Sequence, residues 1–388
     1  MLGRLAAATL TAALTVLAAT AAPALADDPV DVPDGATITI DGRGHGHGRG
    51  MSQGGADRAA AEGRTYAEIL DAYYPGTSWG KARGSVRVWI SRSTSDTVQV
   101  RARSGLTARK VGTGTSWKLT KAKPRATGWR IVASGAASVL EYRQRGWHRF
   151  RKVGGQLELA AGGKPVELAL GDGSTATYRG ALRSVPFQDR RLTVNVVPLE
   201  AYLRGVVPSE ITASTWHPQA QRAQAVASRS YAAAERAEGG TYYDLDDSTR
   251  YQSYLGASRE HPTSDAAVRA TAGRVLTYGG APAATEFTAS NGGWTVAGDA
   301  PYLVAQEDPW DDDTWGPVRF TATELERPWP SIGDLQSIQV TSRDSHGAWG
   351  GRVLSVTLTG AAGSKNVVGS AFYGELGLQS AWLSLRVD

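Results

Sequence analysis

The sequence predicts an α+β fold whose strands are mainly antiparallel. Residues 84–177 alternate apolar and polar side chains with a period of two, which is typical of strands. Residues 65–74 and 218–234 instead place apolar or small side chains on one helical face. Gly279 and Gly280 lie between two apolar stretches and predict a hairpin turn. With 388 residues, 41% hydrophobic and 20% charged, the chain has enough apolar residues for one large or two ordinary domains, and disorder is excluded.

The N-terminus has the pattern of a secretory signal peptide. Arg4 precedes an apolar run that reaches Ala22, and small residues follow up to Ala26. A single charge, a short apolar stretch and a small-residue cleavage site are typical of such a leader. We therefore predict that residues 1–26 are removed, that the protein is secreted without stable membrane insertion, and that residues 27–35 form a linker.

Because the sequence has no Cys, disulfide scaffolds, thiolate catalysis and Cys-based zinc sites are excluded.

Residues 36–80 are predicted to pack on the main domain. A strand at 36–40 runs into a Gly-rich stretch at 42–53, in which every second residue from 42 to 50 is glycine. This alternation indicates that the backbone closely approaches another part of the molecule. Thr65 and Glu68 then form a capping-box pattern at the start of a helix.

Residues 81–177 are predicted to form a β-rich accessory or binding module. They contain no tight grouping of ionisable residues that would indicate catalysis. Basic side chains are frequent from 101 to 130, but they are dispersed and lack a nucleic-acid motif. We interpret them as a solvated face and expect no nucleic-acid partner. The net charge of +5 favours solubility and would also favour an anionic polymer such as a bacterial wall.

Residues 178–388 are predicted to form the catalytic domain. Pro198 suits the first turn of a helix, which is followed by a loop at 207–210. Pro218 begins a long Ala-rich helix with a small face, and Ser264 is predicted to cap a further helix. The C-terminal quarter has the pattern of hairpin strands and a short helical turn.

Glu210 is the first candidate for catalysis. It follows Pro208 in the predicted loop, with Val206, Val207 and Ile211 close by. Apolar surroundings raise the pKa of a carboxyl and keep it protonated, as a general acid acting on a glycosidic oxygen requires. The alternative is a Glu near a helix N-terminus, stabilised there by the helix dipole. Spacing alone favours this alternative.

The pair His45 and His47 is the second candidate. In an extended segment, residues i and i+2 point the same way, so both rings would face one metal ion or one substrate. Two His are too few for a closed zinc site and no third ligand is evident nearby, so we expect no metal and no cofactor. Metal-dependent hydrolysis through these two residues stays open as a minor alternative.

Three further segments carry polar groups that are candidates for catalysis or ligand binding. The acidic run at 307–315 could bind calcium or stack its indoles on sugars, but the ligand pattern of a calcium loop is absent and a solvated acidic turn is favoured. The same interpretation applies to the acidic positions at 244–247, although one of them could serve as a second carboxylate beside Glu210. Residues 290–293 predict a tight turn whose exposed backbone N–H groups would orient a polar substrate.

The sequence lacks the signatures of several common enzyme classes. No nucleophile elbow is present in a strand-to-helix context, which disfavours a Ser-His-Asp hydrolase. The Gly-rich stretch at 42–53 does not begin a βαβ unit, so it predicts neither a phosphate loop nor a dinucleotide site.

Several separated motifs of the chain agree with one known family. They are the segments 197–210, 221–232, 267–278, 290–293 and 307–310, together with 46–53 and 69–77. These residues resemble the SpoIID/LytB family, the stage II sporulation protein D and amidase-enhancer group. The resemblance covers about 36–80 and 178–388, and it leaves the β-rich block outside.

The resemblance implies peptidoglycan lytic transglycosylase activity with Glu210 as the acid/base residue. Such enzymes cut the β-1,4 bond between N-acetylmuramic acid and N-acetylglucosamine without water and leave a 1,6-anhydro end. One carboxyl is enough, because it protonates the leaving oxygen and then removes the proton of the sugar's C6 hydroxyl. The residues expected to bind the glycan strand are His47, Gln53, Tyr231, Ser290, Asn291, Gly292 and Gly293.

The chain departs from the family pattern in two places. The Gly-His-Gly signature usually follows the domain but here precedes it, so the chain resembles a circular permutation. We therefore predict that residues 40–53 lie beside the C-terminal strand and that His47 lies on the cleft of Glu210. Some members also carry His and Cys metal ligands in the stretch that matches 246–254, where this chain has neither.

A non-catalytic alternative belongs to the same family. The enhancer branch suggests a cell-wall-binding protein that recruits or stimulates a cell-wall amidase. Under either interpretation the protein is secreted and associated with the cell wall.

Overall fold

The computed structural model describes residues 26–388. The predicted signal peptide at 1–26 therefore lies outside the described residues, except for Ala26. Within the described range, no helix is both long and apolar enough to span a membrane.

The strands are mainly antiparallel, and among the described residues only two pairs run parallel. The strands are β1 (Val30–Asp31), β2 (Thr37–Arg43), β3 (Met51–Ser52), β4 (Ser78–Lys81), β5 (Ser85–Trp89), β6 (Val98–Arg101), β7 (Thr107–Lys110), β8 (Ser116–Lys118), β9 (Gly128–Ser134), β10 (Ala137–Arg143), β11 (Trp147–Gly154), β12 (Leu157–Ala160), β13 (Val166–Ala169), β14 (Thr175–Tyr178), β15 (Ala181–Phe187), β16 (Arg190–Pro198), β17 (Leu245–Asp246), β18 (Arg274–Tyr278), β19 (Ala281–Pro282), β20 (Phe287–Thr288), β21 (Thr314–Thr321), β22 (Leu335–Arg343), β23 (Val353–Gly360), β24 (Gly363–Val368) and β25 (Leu383–Val387).

Helices separate these strands mainly in the central part of the chain. They are α1 (Gln53–Ala61), α2 (Tyr66–Tyr73), α3 (Leu119–Ala122), α4 (Leu199–Glu210), α5 (Pro218–Glu238), α6 (Pro262–Ala270), α7 (Ala322–Glu326) and α8 (Gly369–Glu375). The mixture of helices with antiparallel sheets confirms the predicted α+β class.

One sheet crosses the predicted boundary between residues 177 and 178. Its strand order is β17-β5-β16-β15-β12-β7-β8, so it combines strands from both sides of that boundary. A second sheet, of order β11-β10-β9-β6-β13-β14, packs with it. One hydrophobic core includes Val88 and Leu159 from the β-rich block and Leu203 from α4. The β-rich block therefore shares its core with the helical part of the chain.

Strands β2 and β25, near the two ends of the described chain, contribute to a second core. Strand β2 pairs antiparallel with β25, so that Ile38 lies opposite Val387 and Gly42 opposite Leu383. The predicted contact of residues 40–53 with the C-terminal strand is confirmed for residues 40–42, which pair with β25. The predicted linker at 27–35 is also packed, because β1 pairs with β22 and Val32 is buried.

Two helix ends differ from the sequence prediction. The predicted loop at 207–210 is wrong, since α4 continues to Glu210 with Pro208 inside its last turn. Pro208 removes one N–H donor there, and the neighbouring Ser209 hydroxyl donates to the Gly205 carbonyl at 2.7 Å. The cap of α6 is His261 rather than Ser264, because Pro262 occupies the first helical position.

Two other predicted helices are confirmed. Thr65 and Glu68 form the complete capping box of α2. Pro218 begins α5, whose Ala220, Ala223 and Ala227 are almost fully buried. This small face allows α5 to pack closely among α1, α2, α4 and α6, which positions the residues described below.

Candidate active site

Glu210 ends α4 and lies where α1 and α5 come together. Its Oε1 accepts a hydrogen bond from the Ser253 backbone N–H, and its Oε2 lies 3.5 Å from the Nε2 of Gln53. The same Gln53 Nε2 is 3.3 Å from the Oε1 of Gln224 on α5. Gln53 and Gln224 are both buried, so the carboxyl contacts groups whose positions are fixed by packing.

Burial raises the pKa of the Glu210 carboxyl above its ordinary value. The hydrogen bonds from Ser253 and Gln53 act in the opposite direction but are the smaller effects. Its position at the C-terminal end of α4 also disfavours the charged form, because the helix dipole is negative there. The alternative of a Glu stabilised at a helix N-terminus is therefore wrong.

Two adjoining cavities meet at Glu210. The first has a volume of about 680 Å³ and the second about 570 Å³. Gln53, Glu210 and Ala289 line both. The carboxyl thus lies between two halves of an open groove, in a position from which it can reach the middle of an extended ligand.

The other carboxyl groups of this groove are paired with arginines. Glu286 in the first cavity accepts from Arg49, with Oε2 and Nε 2.6 Å apart. Glu260 in the second cavity pairs with Arg179 at 2.5 Å and with Arg204 at 2.7 Å. Glu210 alone among these three has no cationic partner within 4.0 Å in the described part of the chain.

His47 lies in the first cavity, as predicted, and is held by its own loop. Its Nδ1 accepts from the Arg49 backbone N–H at 3.0 Å. Burial, followed by the nearby Arg49 charge, lowers the pKa of His47 to about 4. The ring is therefore neutral near pH 7.

His45 lines the same cavity but is exposed. The two rings do not share one face of an extended strand, since glycines with positive φ, such as Gly46 at 101°, interrupt the segment. In residues 26–388, no group of three or more His, Cys, Asp or Glu side chains is arranged to hold a metal ion.

The Gly-rich stretch approaches other backbone closely, as predicted. A Cβ at Gly50 would collide with the Glu286 carbonyl, and one at Gly44 would lie 2.9 Å from the Asn291 carbonyl carbon. The His45 N–H donates to the Ser290 carbonyl at 2.8 Å, and the Ser290 N–H donates back at 3.1 Å. Glycine at these positions lets residues 42–53 form one wall of the groove.

The predicted exposure of the turn at 290–293 is wrong. Ser290 and Asn291 are buried, and the N–H groups of Asn291 and Gly292 donate to the Oδ2 of Asp311 at 2.7 and 3.2 Å. The Gly293 N–H donates to the Asn291 side chain at 2.9 Å. This turn supports the wall of the groove from behind, and its residues do not line either cavity.

The acidic run at 307–315 is not a solvated turn. Asp308 accepts from the Tyr73 hydroxyl and Asn291 Nδ2, both at 2.6 Å, and Asp311 accepts from the Ser52 hydroxyl at 2.6 Å. Both carboxyl groups are buried. Ser52 is the N-cap of α1, so Asp311 fixes the residue that directly precedes Gln53.

The acidic positions 244–247 are also buried and serve the fold. Asp244 pairs with Arg87, and Asp247 accepts from the Ser91 N–H at 2.8 Å. None of these carboxyl groups lines a cavity with Glu210. The prediction of a solvated turn there is therefore wrong, and no second carboxylate beside Glu210 comes from this segment.

Tyr231 projects from α5 into the first cavity. Burial, followed by the nearby Glu235, raises the pKa of its phenol, so the hydroxyl stays protonated. Glu286, Tyr251 and Phe287 also line this cavity, although the sequence analysis did not identify them. Of these, only Tyr251 had a usable signal, because it lies in the family-like segment 246–254.

Residues 188–278 match the SpoIID family, described as Stage II sporulation protein. The matched region contains Glu210, α5 and Tyr231. This match and the relatives described next support the resemblance of the chain to the SpoIID/LytB family. That its motif order is circularly permuted stays a prediction.

Three similar proteins come from Bacillus. The Amidase enhancer of Bacillus subtilis is 32% identical over 37% of this chain and 19% of its own length. Stage II sporulation protein D of the same species is 29% identical over 39% of this chain and 51% of its own. Stage II sporulation protein D of Bacillus amyloliquefaciens is 28% identical over 54% and 66% respectively. The SpoIID/LytB-like chain thus spans only part of each relative.

Proposed function

We propose that this SpoIID/LytB-like protein is a secreted, cell-wall-associated peptidoglycan lytic transglycosylase. It would cleave the β-1,4 bond between N-acetylmuramic acid and N-acetylglucosamine and leave 1,6-anhydro products. The observation that carries the proposal is Glu210, a half-buried carboxyl of raised pKa that has no cationic partner among residues 26–388 and lies at the junction of two cavities. An extended glycan strand lying in both cavities would present a glycosidic oxygen to this group.

One carboxyl performs both proton transfers in this mechanism. Protonated Glu210 donates its proton to the bridging oxygen as the bond from that oxygen to C1 of the muramic acid breaks. The resulting carboxylate then accepts the proton of the C6 hydroxyl as the C6 oxygen bonds to C1. The ion pairs of Glu286 and Glu260 favour this assignment, because both of these carboxyl groups are already engaged by arginines, whereas Glu210 is not.

Three side chains of the first cavity would position the glycan. Gln53 contacts Glu210 itself and would orient the carboxyl toward the bridging oxygen. His47, neutral near pH 7, and the protonated hydroxyl of Tyr231 offer uncharged polar groups to sugar hydroxyls and acetamido groups. Residues 290–293, buried behind the Gly-rich wall, would act by supporting it.

The direct test is product analysis with Glu210→Gln. Glutamine keeps the shape and can still accept from the Ser253 N–H, but it cannot donate the proton. We expect a loss of about 100-fold or more in the release of anhydro-muropeptides from purified peptidoglycan, measured by mass spectrometry. Glu375→Gln, an exposed Glu at the end of α8, is the matched control and should cleave like the parent. Equal rates for parent and Glu210→Gln would refute the mechanism.

A second candidate function rests on the relative named Amidase enhancer. In this alternative the chain binds glycan strands without cutting them and recruits or stimulates a cell-wall amidase. Incubation of glycan with the pure protein alone separates the two. Anhydro ends indicate the enzyme, whereas intact strands retained on the protein, with faster stem-peptide release only when an amidase is added, indicate the enhancer.

A further inference from the structure

The positive charge of this protein is concentrated in one part of the β-rich block. Residues 97–154 contain 14 Lys and Arg but a single acidic residue, Glu141, which gives 14 − 1 = +13. The whole chain carries +5, so the remaining residues sum to 5 − 13 = −8. A charge separation of this size gives the block a strong positive field of its own.

Few of these basic groups are neutralised within the fold. Arg101, Arg109 and Arg130 pair with carboxylates of Glu167, Glu158 and Glu141. The other eleven have no carboxylate within 4.0 Å among residues 26–388. Eight of the eleven are exposed, namely Lys118, Lys121, Arg125, Arg143, Arg145, Arg149, Arg151 and Lys152.

The exposed groups surround an edge where two sheets end. Strand β8 is the last strand of the seven-stranded sheet and β11 the last of the six-stranded sheet. The guanidinium of Arg151 on β11 lies 5.3 Å from the ring centroid of Trp117 on β8, and Lys123 after α3 lies 4.8 Å from the Tyr142 ring on β10. Arg151 therefore lies near the basic groups of β8 and α3, whereas Arg149 and Lys152, which lie opposite Glu141 and Val139 in the pairing of β10 with β11, are on the other face of this edge.

We propose that this surface, residues 97–154, binds a linear polyanion of the cell surface through its repeated phosphate or carboxylate groups. Nine of the 14 basic residues are Arg, whose planar fork matches both groups. The binding would hold the protein on the wall independently of the groove at Glu210. Charged side chains also prevent exposed edge strands from pairing with other chains. That role does not require one sign of charge, so it does not explain why so many of these positions are basic.

Two other classes of partner fit this surface less well. A membrane-binding surface needs apolar side chains that insert, and none of the exposed large hydrophobic residues of the described chain lies within 97–154. Single-stranded nucleic acid needs free aromatic faces for its bases. Here the Trp147 ring is covered by Arg130 at 4.3 Å, and the Trp117 ring by Arg151.

The test measures binding of the full chain to defined polymers. The probes are poly(glycerol phosphate) and polygalacturonate, which distinguish phosphate from carboxylate as the preferred group, with a 20-nucleotide single strand and anionic lipid vesicles as the competing classes. The variant Lys121→Gln/Arg125→Gln/Arg149→Gln/Lys152→Gln removes four exposed charges that make no side-chain contact described above. The control Lys81→Gln/Arg269→Gln/Arg327→Gln/Lys365→Gln removes the same charge from exposed positions elsewhere.

We expect the first variant to bind at least one of the two polymers about tenfold or more weakly than the parent. The slope of the logarithm of the binding constant against the logarithm of the salt concentration should become shallower by about 3. Each of the four lost charge contacts accounts for about 0.7 of this slope. The control should stay within about twofold of the parent, as its charges lie outside the surface. Equal losses in both variants, no binding of either polymer, or tighter binding to the nucleic acid or the vesicles would each overturn the proposal.

Discussion

The groove at Glu210 and the basic surface at 97–154 use charge in opposite ways. In the groove the charged groups are few and partly buried, and each carboxyl other than Glu210 has an arginine partner. On the basic surface the charges are many, exposed and of one sign. The proposed catalysis in the groove therefore depends on the positions of backbone and polar atoms to within a fraction of an ångström. The proposed binding at the basic surface depends instead on the total charge. Substitutions in the two regions should affect different properties.

The largest effect is expected for Gly50→Ala in the wall of the groove. Gly50 has a φ of 64°, and an added Cβ would collide with the Glu286 carbonyl. That carbonyl already accepts from the Tyr74 hydroxyl at 2.7 Å and the Met51 N–H at 3.2 Å, so it has little freedom to move. We expect a loss of about 3 kcal/mol in the free energy of unfolding, measured by denaturant titration.

Gly173→Ala is the control that measures the cost of backbone strain without a collision of the added Cβ. Gly173 also has a positive φ, 85°, but no atom of the described residues lies within 4 Å of an added Cβ. We expect a loss of only about 1 kcal/mol there. Similar losses at the two positions would mean that close packing at the wall contributes nothing.

A smaller loss is expected for Asp311→Asn behind the same wall. The Oδ2 of Asp311 accepts from Ser52, Ser290 and the Asn291 N–H, and an amide nitrogen at either oxygen position would face one of these donors. We expect a loss of about 2 kcal/mol in the free energy of unfolding. Cleavage should fall as well, because Ser52 fixes the start of α1 and with it Gln53.

The control for this substitution is Asp312→Asn, one residue further along the chain. Asp312 has a side chain 79% exposed, and among residues 26–388 it pairs only with the exposed Arg58. Its change should cost less than about 1 kcal/mol, as is usual for surface ion pairs. A loss at Asp312 as large as that at Asp311 would contradict the role assigned to the buried network.

Local signals in the sequence were enough to predict much of this region. The capping box at Thr65, the proline that begins α5 and the glycine alternation at 42–50 each depend on neighbours in the chain, and each is confirmed. Glu210 could be singled out for the same reason, since apolar residues surround it in the sequence. Its place at the end of α4 was missed because Pro208 usually ends a helix.

Contacts between distant parts of the chain could not be predicted in this way. The Arg49–Glu286 pair joins residues 237 positions apart, and neither lies in a charged motif. Asp308 and Asp311 were interpreted as solvated because an acidic run normally is. Their donors come from residues near 52, 73 and 290, so their burial follows only from the assembled fold.

The stability of Glu210→Gln should depend on pH. The folded-state pKa of Glu210 is raised above its ordinary value of 4.5, so the folded protein holds this proton more tightly than the unfolded chain. Stability from this group is therefore present below pH 4.5 and is lost as pH rises through the folded pKa. We expect the variant to match the parent at pH 4 and to be more stable than the parent at pH 8, as measured by denaturant titration at both pH values. A constant difference between them at every pH would exclude a raised pKa.

The smallest effect on stability is expected for the four-site variant of the basic surface. Lys121, Arg125, Arg149 and Lys152 are exposed and have no carboxylate within 4.0 Å in residues 26–388, so their replacement by Gln removes no ion pair. Loss of like charges from one surface also relieves repulsion, which offsets any lost packing of their alkyl chains. We expect the free energy of unfolding to change by less than about 1 kcal/mol for all four together. If the variant were instead as unstable as Asp311→Asn, these side chains would be part of the fold, and weaker polymer binding could no longer be attributed to lost charge alone.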